Sequence, residues 1–142
     1  MKNPEPSPLV HTIDCVSFYV PDLDAGLAFY RNRLGLALVW RTEHAVGLRL
    51  PGTDAEIVLQ DERPGQEIDF KVISADEAAR RFVEAEGTIL VPLFDIQIGR
   101  AVVVQDPWGN LYVLLDASKG LLATDENGRV IGNQPVDQGG NP

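Results

Sequence analysis

From residue 12 to residue 20 apolar and polar positions alternate, with Val16, Phe18 and Val20 on one parity and Cys15, Ser17 and Tyr19 on the other. A period of two predicts a strand with one buried face. Pro21 stops it, Asp22 is placed to cap a helix, and Leu23, Leu27, Tyr30 and Leu34 then recur at helical spacing. Gly35 supplies the left-handed residue such a helix favours at its end. Residues 36–41, 45–50 and 55–61 predict three more strands, separated by Thr42-Glu43-His44 and by Pro51-Gly52-Thr53-Asp54.

After Arg63-Pro64-Gly65-Gln66 the pattern starts again. Residues 67–73 predict a strand, and Ser74 and Glu77 stand at capping-box spacing. The helix they open presents Ala78, Phe82 and Ala85 inward and ends at Gly87; strands follow at 88–91, 100–105 and 111–115. At an offset of 52 residues Cys15 overlies Glu67, Phe18 overlies Phe70, Val20 overlies Val72 and Gly35 overlies Gly87. A fixed period marks a duplicated supersecondary unit.

Each half reads strand, helix, three strands, so the predicted class is α+β. Two tandem βαβββ modules, 12–62 and 67–117, form a curved eight-stranded cup with the helices on its outer face. The pattern is satisfied equally by a cup within one chain and by one shared between two. Residues 1–11 read as an extended Pro-rich lead-in. Residues 118–142 are an extension in which 121–124 and 129–131 flank Asp125-Glu126-Asn127-Gly128, a hairpin signal. The end of that extension, polar and rich in glycine, reads as a segment held against its own domain or a partner.

Composition narrows the function classes. Twenty-one acidic against 12 basic residues give a formal net charge of −9, which excludes a nucleic-acid partner because phosphates need a cationic face. The single cysteine excludes an intrachain disulfide, and no apolar run reaches the ~18 residues of a membrane span. The expectation is a soluble, cytoplasmic, single-domain protein.

The candidate chemistry lies on the parity that faces away from the helices. Cys15, Ser17 and Tyr19 of the first strand, Glu56 and Val58 of the fourth, Glu67 and Asp69 of the fifth and Val113 of the last share it. Together they form a mixed apolar and polar concavity of the kind small molecules occupy. Trp40 is the aromatic placed to contact a ligand there, whereas Tyr112 has the helix-facing parity and packs. Glu67, with Asp69 beside Lys71, is the candidate for acid–base work. No histidine is placed to activate Cys15, and His11 and His44 read as surface or cap residues.

Ile13-Asp14-Cys15-Val16-Ser17-Phe18-Tyr19-Val20-Pro21-Asp22-Leu23, followed by Phe29-Tyr30-Arg31-Asn32-Arg33-Leu34-Gly35-Leu36, resembles the opening of the vicinal oxygen chelate superfamily. Gly99-Arg100 and Asp106-Pro107-Trp108-Gly109-Asn110 resemble its closing signature. The superfamily includes glyoxalases, bleomycin-resistance proteins and extradiol dioxygenases. In its metal-dependent members four side chains converge in the cup. The resemblance carries those positions to Cys15, to Glu56 or Val58, to Glu67 and to Val113. Val113 cannot ligate, so the expectation is no cofactor, with binding or sequestration of a small organic molecule in the cup. One alternative is a divalent-metal lyase or dioxygenase of glyoxalase type using Cys15, Glu56 and Glu67. A second is a non-catalytic interaction module. The resemblance also implies a homodimer.

Overall fold

The computed structural model describes residues 7–134, so the lead-in before residue 7 and the tail beyond 134 lie outside the described residues. Strand β1, Thr12–Tyr19, forms where the alternation predicts it. Asp22 caps the next element, its side chain accepting from the amides of Asp24 and Ala25. That element is α-helical over α1, Leu23–Leu27, and then widens to a π-helical stretch over Ala28–Arg33. Gly35, at φ +83°, closes it in the left-handed region. Three strands complete the first module: β2 Ala37–Arg41, β3 Ala45–Arg49 and β4 Glu56–Gln60.

The second module repeats the order with β5 Gln66–Lys71, α2 Ala75–Glu84, β6 Thr88–Ile96, β7 Gly99–Gln105 and β8 Leu111–Leu115. Three details differ from expectation. Only half of the capping box forms: Ser74 accepts from the Glu77 amide, while the Glu77 carboxylate turns to Arg80. Ala85 is exposed, and Ala75 and Ala78 are the buried alanines of α2. The left-handed residue after α2 is Glu86, at φ 72°. Gly87 is needed for another reason, because the Phe82 ring occupies the place a Cβ would take.

All eight strands join one sheet in the order β2-β3-β4-β1-β5-β8-β7-β6. The modules meet where β1 pairs antiparallel with β5, so the cup is built within one chain. β1 pairs parallel with β4, and β5 parallel with β8, which repeats the same arrangement in each half. Strand β6 runs five residues past its predicted end, through Pro92. An edge strand tolerates that proline, and the β6–β7 ladder slips between Val91 and Phe94.

Each half has its own core beneath its helix. In the first, Leu23 and Leu27 pack on Val46, Leu48 and Leu59, with Phe18 and Val20 at the margin. In the second, Ala75 and Ala78 pack on Val72, Val102, Val104 and Leu114. Tyr112 meets Phe70 and Phe82 edge-on at centroid distances of 5.3 and 6.0 Å, as its helix-facing parity requires. Among the described residues no helix is long and apolar enough to cross a membrane.

The hairpin forms as β9 Leu122–Thr124 and β10 Val130–Asn133. It covers the β2 edge: the Arg41 amide donates to Gly128 O at 2.7 Å, and Arg41 bridges to Arg129. Its far end is tied to the β6–β7 turn, where the Gln97 amide donates to Asn133 Oδ1 at 2.6 Å and Asn133 Nδ2 donates to Gln97 O at 2.9 Å. The hairpin thus links the β2 edge to the far hairpin of the same sheet. Pairing and covering an edge removes a template for unwanted strand addition.

Candidate functional site

The strand registers set the inner face of the cup as two rows of side chains. In one row Trp40 on β2 pairs with Gly47 on β3, Gly47 with Val58 on β4, Val58 with Ser17 on β1, and Ser17 with Glu67 on β5. In the next, Arg49, Glu56, Cys15, Asp69, Val113 and Val103 pair in turn across β3, β4, β1, β5, β8 and β7. Tyr19 follows Ser17 on the same face of β1, opposite Gln60. Cys15, Ser17, Tyr19, Trp40, Glu56, Val58, Glu67, Asp69 and Val113 therefore do share one surface.

The Trp40 indole lies over Gly47, where a Cβ would collide with it, and its Nε1 donates to Glu56 Oε1 at 2.7 Å. Burial raises the Glu56 carboxyl above its usual range, and the bond from Trp40 opposes that rise. The second half contributes an apolar wall of Ala101, Val113 and Leu115, closed by Ile96, Ile98 and Val103.

At the centre the sequence missed a local irregularity. A bulge between Ile13 and Cys15 inserts an extra residue in β1, and Asp14 joins Cys15 and Asp69 in a group whose donor atoms lie within 4.8 Å of one another. Bulges re-aim side chains in this way. Alternation alone gives no signal for it. The antiparallel pairing also sets Asp69 directly opposite Cys15, while Glu67 faces Ser17.

The Cys15 thiol donates to Asp69 Oδ2 at 3.5 Å. Among the described residues, the buried Asp69 Oδ1 receives no donor and the hydroxyl of Ser17, a residue only 2% exposed, has no partner. Burial first, then the neighbouring Glu67 carboxyl, pushes the Asp69 carboxyl up to about 8. Asp69 therefore holds its proton to a higher pH than an ordinary carboxyl. The nearby cations engage other groups: Lys71 Nζ lies 3.5 Å from Asp14 Oδ1, and the largely solvated Arg63 lies 3.9 Å from Glu67 Oε1.

Burial, followed by the charges of Asp69 and Asp14, drives the Cys15 thiol far above its ordinary range. The thiolate is the reactive form, so Cys15 is expected to resist a disulfide reagent in the native protein. A thiol assay should show reaction only after denaturant is added; stoichiometric labelling of the folded chain would contradict this environment.

The Asp106-Pro107-Trp108-Gly109-Asn110 segment is a structural turn. Asp106 Oδ1 accepts the amides of Trp108 and Asn110 at 2.9 Å each, and Asn110 Nδ2 donates to Asp106 Oδ2. Trp108 itself is exposed. His44 bonds to Asp61 and Glu43 at the surface, and His11 lines a groove beside α2. A cleft of about 580 Å³ opens between the C-terminal hairpin and the rim, lined by Arg41, Thr42, Glu43, Gln97, Asp125 and Arg129 among others. None of the inner-face residues predicted from the sequence lines it. The hairpin turn was legible, but what the hairpin rests on was not.

This architecture and its residues match the family described as the glyoxalase/bleomycin resistance protein/dioxygenase superfamily over residues 12–114. The chain belongs to that superfamily. No curated protein matches it. Among solved structures, methylmalonyl-CoA epimerase from Mycobacterium tuberculosis is similar at a TM-score of 0.67 and 21% identity, over 79% of this chain and 91% of that one. Homoprotocatechuate 2,3-dioxygenase from Brevibacterium fuscum is similar at a TM-score of 0.61 and 24% identity, over 79% of this chain and 38% of that one. A hypothetical protein from Bacillus halodurans matches at a TM-score of 0.65 and 18% identity, over 80% and 97% of the two chains. At these identities the likeness is one of fold.

Many members of this superfamily use a divalent metal; at the positions the resemblance implies, this chain does not offer a full set of ligands. Of the positions the resemblance implies, Val113 offers no donor atom and Glu56 is held by Trp40. Cys15 and Glu67 are separated in register, with Asp69 opposite the thiol. The donors that do converge, Asp14, Cys15 and Asp69, mix one soft sulfur with two hard carboxyls. Lys71 already lies beside Asp14 as a counter-charge.

Proposed function

We propose that this superfamily member binds a small organic molecule on the inner face of its cup without a metal ion. The observation that carries the reading is the pair of buried polar groups without a partner among the described residues, Ser17 Oγ and Asp69 Oδ1. Buried polar atoms without partners are rare in native proteins, and such an exception asks for a missing partner. A bound molecule supplies one. The apolar wall at Val113 and the aromatic groups of Trp40 and Tyr19 supply the surface on which such molecules bury most of their area.

Binding then follows from hydrogen bonding and burial, and catalysis is not required. A thermal-shift screen of small organic molecules, run with and without EDTA, tests the reading. Stabilising compounds should raise the melting temperature equally in both series. Binding or turnover that disappears with EDTA and returns with a divalent metal would overturn it in favour of a metal enzyme. We also propose, from the superfamily resemblance, that the protein self-associates as a homodimer, which sedimentation can decide.

A further inference from the structure

The inner face restricts the chemical class of its ligand. Glu67 and Asp69 stand two residues apart on one face of β5, and Ser17 pairs with Glu67 across the β1–β5 ladder. Ser17 is 2% exposed, and among the described residues neither its hydroxyl nor the buried Asp69 Oδ1 has a partner. Among the described residues the donor on Asp69 Oδ2 is the Cys15 thiol, a weak donor, at 3.5 Å. Lys71 is directed to Asp14, and Arg63 reaches Glu67 only at 3.9 Å from solvent. Two carboxyl groups and one hydroxyl therefore share a partly desolvated face where, among the described residues, no cation lies within hydrogen-bonding distance of them.

Resting on the reading that the cup binds a small organic molecule, we propose that this ligand is a primary organic ammonium. Its three N–H groups donate to Glu67, Asp69 and Ser17, and its carbon frame lies against Trp40 or Tyr19. An ammonium carries three donors and a positive charge, which suit two carboxyl groups and a hydroxyl that can all accept. A carboxylate or phosphate would instead face two acidic groups. Tyr19 is 38% exposed on the same face, so one aromatic surface is already open to a ligand. Aromatic faces attract cations and bury carbon frames equally well. The hairpin cleft, with two arginines and two carboxylates, has no such single-sign character.

Calorimetric titration of the full chain at pH 7 in EDTA, with benzylammonium and with benzyl alcohol as its neutral counterpart, tests the inference. Benzylammonium should bind at least about tenfold more tightly, the scale of one charge-assisted hydrogen bond. Glu67→Gln and Asp69→Asn should each remove about that factor, with an NMR spectrum confirming that each variant is folded. Arg129→Gln, in the hairpin cleft, should leave affinity unchanged. Equal affinity for the alcohol, or no binding of benzylammonium, overturns the inference; the wild-type comparison decides even if a variant does not fold. Loss of binding in Arg129→Gln would move the ligand to the cleft and also overturn it. Tight, chelator-independent binding of the alcohol alone would leave the metal-independent reading standing while removing the ammonium.

Discussion

Replacing Asp116 with alanine is expected to destabilise the protein by about 3–5 kcal/mol and to lower its melting temperature by roughly 10 °C. Asp116 is 4% exposed at the end of β8. Its Oδ2 accepts the Ala75 amide at 2.8 Å, which caps the first turn of α2. Its Oδ1 accepts the Arg100 amide at 3.0 Å and both the amide and hydroxyl of Ser118 at 3.1 and 2.7 Å. Gly99 makes room, since a Cβ there would collide with Asp116. One carboxylate therefore joins α2, β7, β8 and the start of the C-terminal extension. Burial alone would raise its pKa, but the hydrogen bonds from Ala75, Ser118 and Arg100 outweigh it and hold the carboxyl below its ordinary range. Alanine leaves three amides without partners, which is why the loss exceeds that of one ordinary hydrogen bond. Chemical denaturation followed by circular dichroism measures it; a change below about 1 kcal/mol would show that the junction is not fixed by this side chain.

The second large effect is a stability that falls as pH rises through neutrality. Asp69 is pushed up to about 8 in the folded protein from an unfolded value of 3.8. Between those values the native state holds a proton that the unfolded chain releases, so stability decreases with rising pH in that window. The contribution is complete below the unfolded value and is lost as pH passes the folded one. The groups facing Asp69 set this: Cys15 and Asp14 from β1, Glu67 and Lys71 from β5, and the apolar Val113 from β8. The expected loss between pH 5.5 and 8.5 is on the order of 3 kcal/mol. Asp69→Asn removes the titrating group, so denaturation midpoints across that range should flatten and the variant should exceed wild type at pH 8.5. A wild-type stability that is flat or rising there would mean that Asp69 is ionised in the folded state. With the expected loss of ammonium affinity in the same variant, stability and binding would move in opposite directions at this residue, a common cost of functional sites.

Legibility in the sequence followed periodicity. The alternation at Phe18 and Val20 and its echo at Phe70 and Val72 are consequences of burial on one sheet face, so strand positions and the inner-face set could be read directly. Features that depend on close contact between distant segments could not. The bulge that brings Asp14 beside Cys15 breaks the alternation on which the reading depends. The glycine after α2 looked like a helix cap because caps favour glycine, yet the left-handed residue is Glu86 and Gly87 yields space to Phe82. Asp116 resembles any polar residue ending a strand until the fold brings Ala75, Arg100 and Ser118 around it. The offset of 52 residues pairs Cys15 with Glu67 by symmetry, whereas the antiparallel ladder pairs Cys15 with Asp69 by contact. The repeat preserves the scaffold, and the contacts across it define the site.

The central claim is that the cup is a carboxylate site that works without a metal. A crystal grown without chelator and soaked in benzylammonium, with anomalous data collected across transition-metal edges, tests it most directly. The predicted result is an ammonium on Glu67, Asp69 and Ser17, an aromatic ring beside Trp40 or Tyr19, and no anomalous peak among Asp14, Cys15 and Asp69. A metal peak at those three residues, or a ligand bound only in the hairpin cleft, would contradict the account.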